Sequence, residues 1–174
     1  MKTVVAAVDF SPISRTVLAV AAEFARSLGA RIILLHVVPN PVAMVADQLT
    51  AAEVTALVAG RKKDAVRHLG ELLSGLKGVP VEALAATGVP AAEILAVARE
   101  QSADFIVMGS RGHTPLYQMV VGSTAHDVLR KAVCPVLIAP SPRRAPRVKA
   151  TPKSRQPRTP PNGDHSVAHS THTL

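Results

Sequence analysis

Apolar residues follow two alternating patterns along the first 140 positions. Short continuous runs occur at Val4–Val8, Ile32–Val38, Val79–Ala85, Phe105–Met108 and Val136–Ala139. Runs of this length and β-branched content predict strands covered on both faces, as in a parallel sheet. Between them the apolar positions fall at helical spacing. Val17, Leu18, Ala21, Ala22, Ala25 and Leu28 predict one helix, which Gly29 ends. Ser11-Pro12 reads as its N-cap followed by proline at the first helical position. A second helix is predicted from about Thr50 to Ser74, with Thr50 and Glu53 spaced as a capping box and Gly75 and Gly78 beyond its end. Gly88-Val89-Pro90 opens a third, from Ala91 to about Ser102, and Ser123 to about Lys131 forms a fourth.

The predicted order is β-α-β-α-β-α-β-α-β. Strands alternating with helices imply an α/β domain with an open, parallel, five-stranded sheet and helices on both faces. The pattern stops at Pro140. Residues 141–174 are rich in Pro, Arg, Ser and Thr and nearly devoid of apolar residues. Such a segment buries too little surface to offset its ordering entropy, so a disordered tail is expected. Two regions result: an α/β domain over 1–140 and a tail over 141–174.

Charge follows the same division. The 174-residue chain carries a formal charge of +8, yet residues 1–140 hold 13 Lys/Arg against 11 Asp/Glu, and the tail holds 7 against 1. The basic tail is therefore a candidate contact for nucleic acid or another anionic partner, although a solubilising extension is the favoured reading. With no Trp, one Tyr and three Phe, the chain lacks the aromatic platforms used to stack single-stranded nucleic acid. His165, His169 and His172 sit at ligand spacing in the tail, but a flexible segment without cysteine is expected to give adventitious affinity rather than a firm metal site. Cys134 is the single cysteine, which rules out an intrachain disulfide and reads as a buried structural thiol. No membrane span or secretory signal is expected, and the cytoplasm is the default compartment.

The chemistry concentrates at strand ends. In an open α/β sheet, ligands bind beyond the carboxyl ends of the strands where strand order reverses. Asp9 ends the first strand, and Gly109-Ser110-Arg111-Gly112 follows the fourth. Ten residues after Gly112 comes Gly122-Ser123, at the start of the fourth helix. Gly109 and Gly112 can take backbone conformations that let N–H groups approach an anion. The free N–H groups and dipole of the fourth helix favour phosphate, and the Ser123 and Thr124 hydroxyls can add hydrogen bonds. The Gly-x2-Gly-x9-Gly-Ser spacing is thus a phosphate cradle in two pieces. It is neither a P-loop, for which a lysine is missing, nor a dinucleotide fingerprint.

These segments resemble the universal stress protein family. The likeness is carried by Val8-Asp9-Phe10-Ser11, Leu35-His36-Val37, Gly88-Val89-Pro90, Ile106 through Gly112, Val121-Gly122-Ser123-Thr124 and Cys134-Pro135-Val136-Leu137. The two-piece glycine motif resembles that of the family's ATP-binding branch. The resemblance implies a Rossmann-like sheet in the order 3-2-1-4-5 and a homodimer formed through Val136–Ala139. It also implies an ATP site, with Mg2+ accompanying the phosphates. Asp9 then approaches the ribose or the metal, while Val37 and Met108 border adenine, with the backbone of Ala7 and Val8 beside it. Gly109, Ser110, Arg111, Gly112, Gly122, Ser123 and Thr124 surround ribose and phosphates.

Several residues keep a second reading. Asp9 can simply cap the following turn, and Arg111 can be a solvated loop charge. His36 reads as a satisfied strand-end histidine, and neither His113 nor His126 has a carboxylate partner that spacing establishes. The expected function is ATP binding by a regulatory or protective stress-response protein. A slow ATP hydrolase or adenylyl-transfer enzyme in the same crevice is the enzymatic alternative, and an interaction protein acting through its tail is the third.

Overall fold

The computed structural model describes residues 1–40, 49–110 and 121–140. Nine elements alternate along them. They are β1 (Thr3–Val8), α1 (Ser14–Leu28), β2 (Arg31–Pro39), α2 (Ala51–Leu73), β3 (Val81–Gly88), α3 (Pro90–Glu100), β4 (Phe105–Gly109), α4 (Ser123–Lys131) and β5 (Val136–Ala139). All pairings are parallel, and the sheet order is β3-β2-β1-β4-β5. The chain builds outward from β1 to β3, then crosses to the other side of β1 for β4. The order therefore reverses between β1 and β4, where Ala7 pairs with Met108.

Side-chain alternation decides which helices cover which face. Val4, Ala6 and Val8 of β1 join Ile32, Leu34 and Val107 against α1, with Leu69 of α2 in the same cluster. Val5 and Ala7 join Ile33, Leu35, Ile106 and Met108 against α3 and α4. All six residues of β1 are buried, as expected for a central strand with helices on both sides. Each large aliphatic removed from water here contributes about 1.5–3 kcal/mol.

The helix ends follow local chemistry. Gly29 closes α1 with φ 60°, a left-handed conformation that suits glycine, and the Ala30 N–H bonds the Ala25 carbonyl. Thr50 and Glu53 form the capping box of α2. Burial in this long helix is confined to Ala65 and Leu69, in its C-terminal half.

Two expectations need correction. Ser11 is not the N-cap of α1, which starts at Ser14 with Ile13 at the cap position and no side-chain cap. The Ser11 hydroxyl and N–H both donate to Asp9 Oδ1, so the hydroxyl is engaged away from the helix; the Ser11 carbonyl instead accepts from the Ser14 N–H. The third strand is also displaced, to Val81–Gly88. Its pairing with β2 runs on to Pro39 opposite Gly88, and this ladder, rather than apolar content, sets where it ends.

Candidate functional site

The carboxyl ends of β1, β2 and β4 surround a cavity of about 550 Å3, within the roughly 300–1,000 Å3 usual for small-molecule sites. Of the residues singled out from the sequence, Ala7 and Val8 line it from β1 with Asp9 just beyond, Val37 lines it from β2, and Met108 and Gly109 from β4 with Ser110 just beyond. Gly122, Ser123 and Thr124 line it from the start of α4. Arg111, Gly112 and His113 lie outside the described residues, as does the tail with its three histidines.

The two halves of the glycine motif meet directly. Ser110 follows β4, and its N–H bonds the Ala139 carbonyl of β5 at 2.9 Å. Its carbonyl accepts from the Gly122 N–H at 2.8 Å. That bond uses the N-cap donor of α4 and leaves the N–H groups of its first turn to face the cavity mouth, since α4 has no side-chain cap. Gly122 has φ −72° and ψ 161°, and Gly109 is the last residue of β4. Neither glycine uses a left-handed backbone, contrary to the expectation for Gly109, so what they offer here is the absence of a side chain.

Two neighbouring serines hold the Asp9 carboxylate. Its Oδ1 accepts from the Ser11 N–H at 3.0 Å, the Ser11 hydroxyl at 2.5 Å and the Ser14 hydroxyl at 3.3 Å. Ser11 and Ser14 are both buried. The capping reading of Asp9 is thus realised, and the same carboxylate lines the cavity. Among the described lining residues it is the one carboxylate, and no lysine or arginine accompanies it. What the described lining offers an anion is N–H and hydroxyl donors and the α4 dipole.

Behind the polar rim the walls are aliphatic. Val37 and Met108 are joined by Val17, Leu35, Ile94 and Ala125, and by Ile13, Pro39 and Pro90 nearer the rim. Sequence reading did not assign these to the site, because each is also what a buried strand or helix face requires. The backbone adds a polar edge. The Arg31 N–H bonds Lys2 of the β1 side and the Ile32 N–H bonds Pro80 of the β3 side. Odd-numbered residues of β2 therefore turn their backbone groups toward β1. Val37 continues this parity one residue past the last β1 pairing, Val8 with His36.

His36 also lines the cavity. Its Nδ1 lies 2.9 Å from the Val8 carbonyl, which can only accept, so the ring donates from Nδ1. The satisfied-histidine reading holds, and it coexists with a place in the cavity wall. His126 lies apart from that wall and approaches Asp127 at 3.7 Å.

Among the described residues no group of three or more His, Cys, Asp or Glu is arranged to hold a metal ion, and no helix is long and apolar enough to cross a membrane. Cys134 is half-buried against the α3–α4 cluster. Burial, with the Asp104 carboxylate adding to it, raises its thiol above the ordinary value of 9.0.

Comparisons with known proteins agree with this architecture. The universal stress protein family matches residues 1–140. Universal stress protein YxiE of Bacillus subtilis is 33% identical over 139 residues, covering 76% of this chain and 94% of that protein. Among solved structures, hypothetical protein MJ0577 of Methanocaldococcus jannaschii superposes with a TM-score of 0.72 at 25% identity, covering 81% of this chain and 96% of the other. The universal stress protein from Archaeoglobus fulgidus, solved in complex with dAMP, superposes with a TM-score of 0.51 at 28% identity, covering 79% and 96%. The chain belongs to the universal stress protein family.

Proposed function

We propose that this protein binds ATP, with Mg2+ on its phosphates, in the cavity between β1 and β4, and acts as a regulatory or protective stress-response protein of the cytoplasm. The observation that carries the reading is the closed cradle. Ser110 and Gly122 are hydrogen-bonded at 2.8 Å, and the N-terminus of α4 opens beside them onto an aliphatic cavity. A ligand suited to this arrangement has one flat apolar end and one anionic end. The dAMP complex of the Archaeoglobus fulgidus relative is consistent with an adenine nucleotide.

In this reading adenine lies between Val37 and Met108, with the backbone of Ala7 and Val8 at its edge. The Val37 carbonyl, on the β1 side beyond the last β1 pairing, would accept from the amino group of adenine, where guanine carries an oxygen. Asp9, held by Ser11 and Ser14, meets the ribose or the metal. Gly109, Ser110, Arg111 and Gly112 close around the phosphates with Gly122, Ser123 and Thr124. Mg2+, when bound, would neutralise phosphate charge there, and Asp9 is the described lining carboxylate that would hold it.

Among the described lining residues there is no lysine of the kind that a P-loop supplies to the phosphates. Binding rather than turnover is therefore the proposed activity. The domain is proposed to end near Pro140, with residues 141–174 dispensable for nucleotide binding, and the protein is proposed to form a homodimer along β5.

The deciding experiment is to purify the chain without added nucleotide, denature it and identify the released small molecules by mass spectrometry, with calorimetric titration of ATP alongside. Release of an adenine nucleotide, or saturable binding below millimolar ATP, is expected. Neither signal at millimolar ATP overturns the reading.

A further inference from the structure

Phe10 has φ 62°, a left-handed conformation unusual for a bulky residue. It stands between Asp9 and Ser11, in the middle of the turn that sets the Asp9 carboxylate. Its ring is held on two sides. His36 stacks on it with centroids 4.1 Å apart and planes inclined by 29°. His68 of α2 meets it edge-on at 5.2 Å. His36 is anchored in turn by its Nδ1 bond to the Val8 carbonyl, the residue before Asp9. His68 Nε2 accepts from Arg67, which is paired with Glu71 at 2.7 Å.

We propose that Phe10 is a positioning residue for the nucleotide site: clamped between His36 and His68, its ring holds a left-handed backbone that orients Asp9 into the cavity. The inference rests on the ATP-binding reading for its consequence, though not for its geometry. An L-residue at this φ is disfavoured because its Cβ crowds the following carbonyl. Stacking on His36, the edge contact with His68 and packing against Val38, Ala65 and Ala85 compensate. The turn is then fixed by a side chain where a glycine would adopt the same backbone freely.

This predicts a ranking that simple space-filling does not. Phe10→Ala keeps the crowding of Cβ and removes the ring, so the turn relaxes to negative φ and the Ser11 N–H loses Asp9 Oδ1. Phe10→Gly also removes the ring but permits the left-handed turn. A residue that only fills space should fare worse as glycine than as alanine.

The test measures two quantities on the full chain. One is hydrogen exchange of the Ser11 amide without nucleotide, and the other is ATP affinity. Expected for Phe10→Ala are faster Ser11 exchange and about tenfold weaker ATP binding, the population penalty of one left-handed L-residue. Phe10→Gly is expected to recover most of the protection and to bind within roughly threefold of wild type. The proposal is overturned if Phe10→Ala matches wild type in Ser11 exchange, or if Phe10→Gly exchanges faster than Phe10→Ala. Absence of ATP binding in wild type defeats the functional reading instead, while the exchange measurement still decides the role of Phe10.

Discussion

The Ser110 carbonyl accepts the Gly122 N–H at 2.8 Å, joining a strand end to a helix start across an intervening stretch of chain. Gly122 adopts φ −72°, which any L-residue accommodates, so conformation does not demand glycine there. The proposed nucleotide site does, through close approach of the phosphates. Gly122→Ala should leave the fold intact, with a melting temperature within about 2 °C of wild type, no more than the shift that about 1 kcal/mol gives in a chain of this size. ATP affinity should fall about tenfold or more, equivalent to about 1.4 kcal/mol. Calorimetry and thermal melting on the same preparation check both halves. Unchanged affinity would remove Gly122 from the site.

Asp9 serves the fold and the site with one carboxylate, and two substitutions separate these duties. Asp9→Asn keeps an acceptor oxygen for Ser11 and Ser14 and removes the charge. Asp9→Ala removes the acceptor and leaves buried Ser11 and Ser14 donors unsatisfied, at a cost of about 1–3 kcal/mol. Asp9→Ala should therefore lower stability in urea while Asp9→Asn changes it little. Both should weaken binding of Mg-ATP. Equal stability of the two variants would mean that the turn does not depend on Asp9.

The fold was legible because its signals are redundant. Val4–Val8 and Ile32–Val38 are continuous apolar runs, and Thr50 with Glu53 announces the start of α2 through a hydrogen-bond pattern visible in the spelling. The cavity was legible where a residue breaks the apolar rule, as Asp9, Gly109 and Ser123 do. It was illegible at Leu35, Ile94 and Ala125, whose place in the wall is indistinguishable from a place in the core until the third dimension is known. Ser11 was misread because its hydroxyl can accept from a helix or donate to a neighbour. Only the geometry of the Asp9 turn decides between the two. Phe10 carried no signal, since a positive φ at an aromatic residue has no sequence pattern.

Cys134 offers a test of burial independent of the site. Desolvation raises its thiol above 9.0, and the nearby Asp104 carboxylate opposes the thiolate further. Because the thiolate is the nucleophile, alkylation near pH 8 should be slower in the folded protein than in urea. The folded rate should keep rising with pH beyond the point where the unfolded thiol levels off. Asp104→Asn, which removes the second of the two causes, should bring the folded profile part of the way back. Iodoacetamide labelling followed by intact mass spectrometry checks this. Labelling of the native protein as fast as in urea would contradict a half-buried thiol.

The proposed homodimer makes a demand on the outer edge of β5. The Ile106 N–H bonds the Pro135 carbonyl and the Ser110 N–H bonds the Ala139 carbonyl, so odd-numbered residues face β4. Val136 and Ile138 therefore turn their backbone groups outward, where a second copy of the strand can add. Leu137 is 38% exposed at this edge. Lysine at an edge strand opposes pairing through its charge and hydration. Leu137→Lys should convert a dimer to a monomer at micromolar concentration, read by light scattering after size exclusion. It should leave the monomer folded, because the inward-packing Val136 and Ile138 are untouched. A wild-type protein that is monomeric at high concentration, or a Leu137→Lys protein that stays dimeric, would move the interface away from β5.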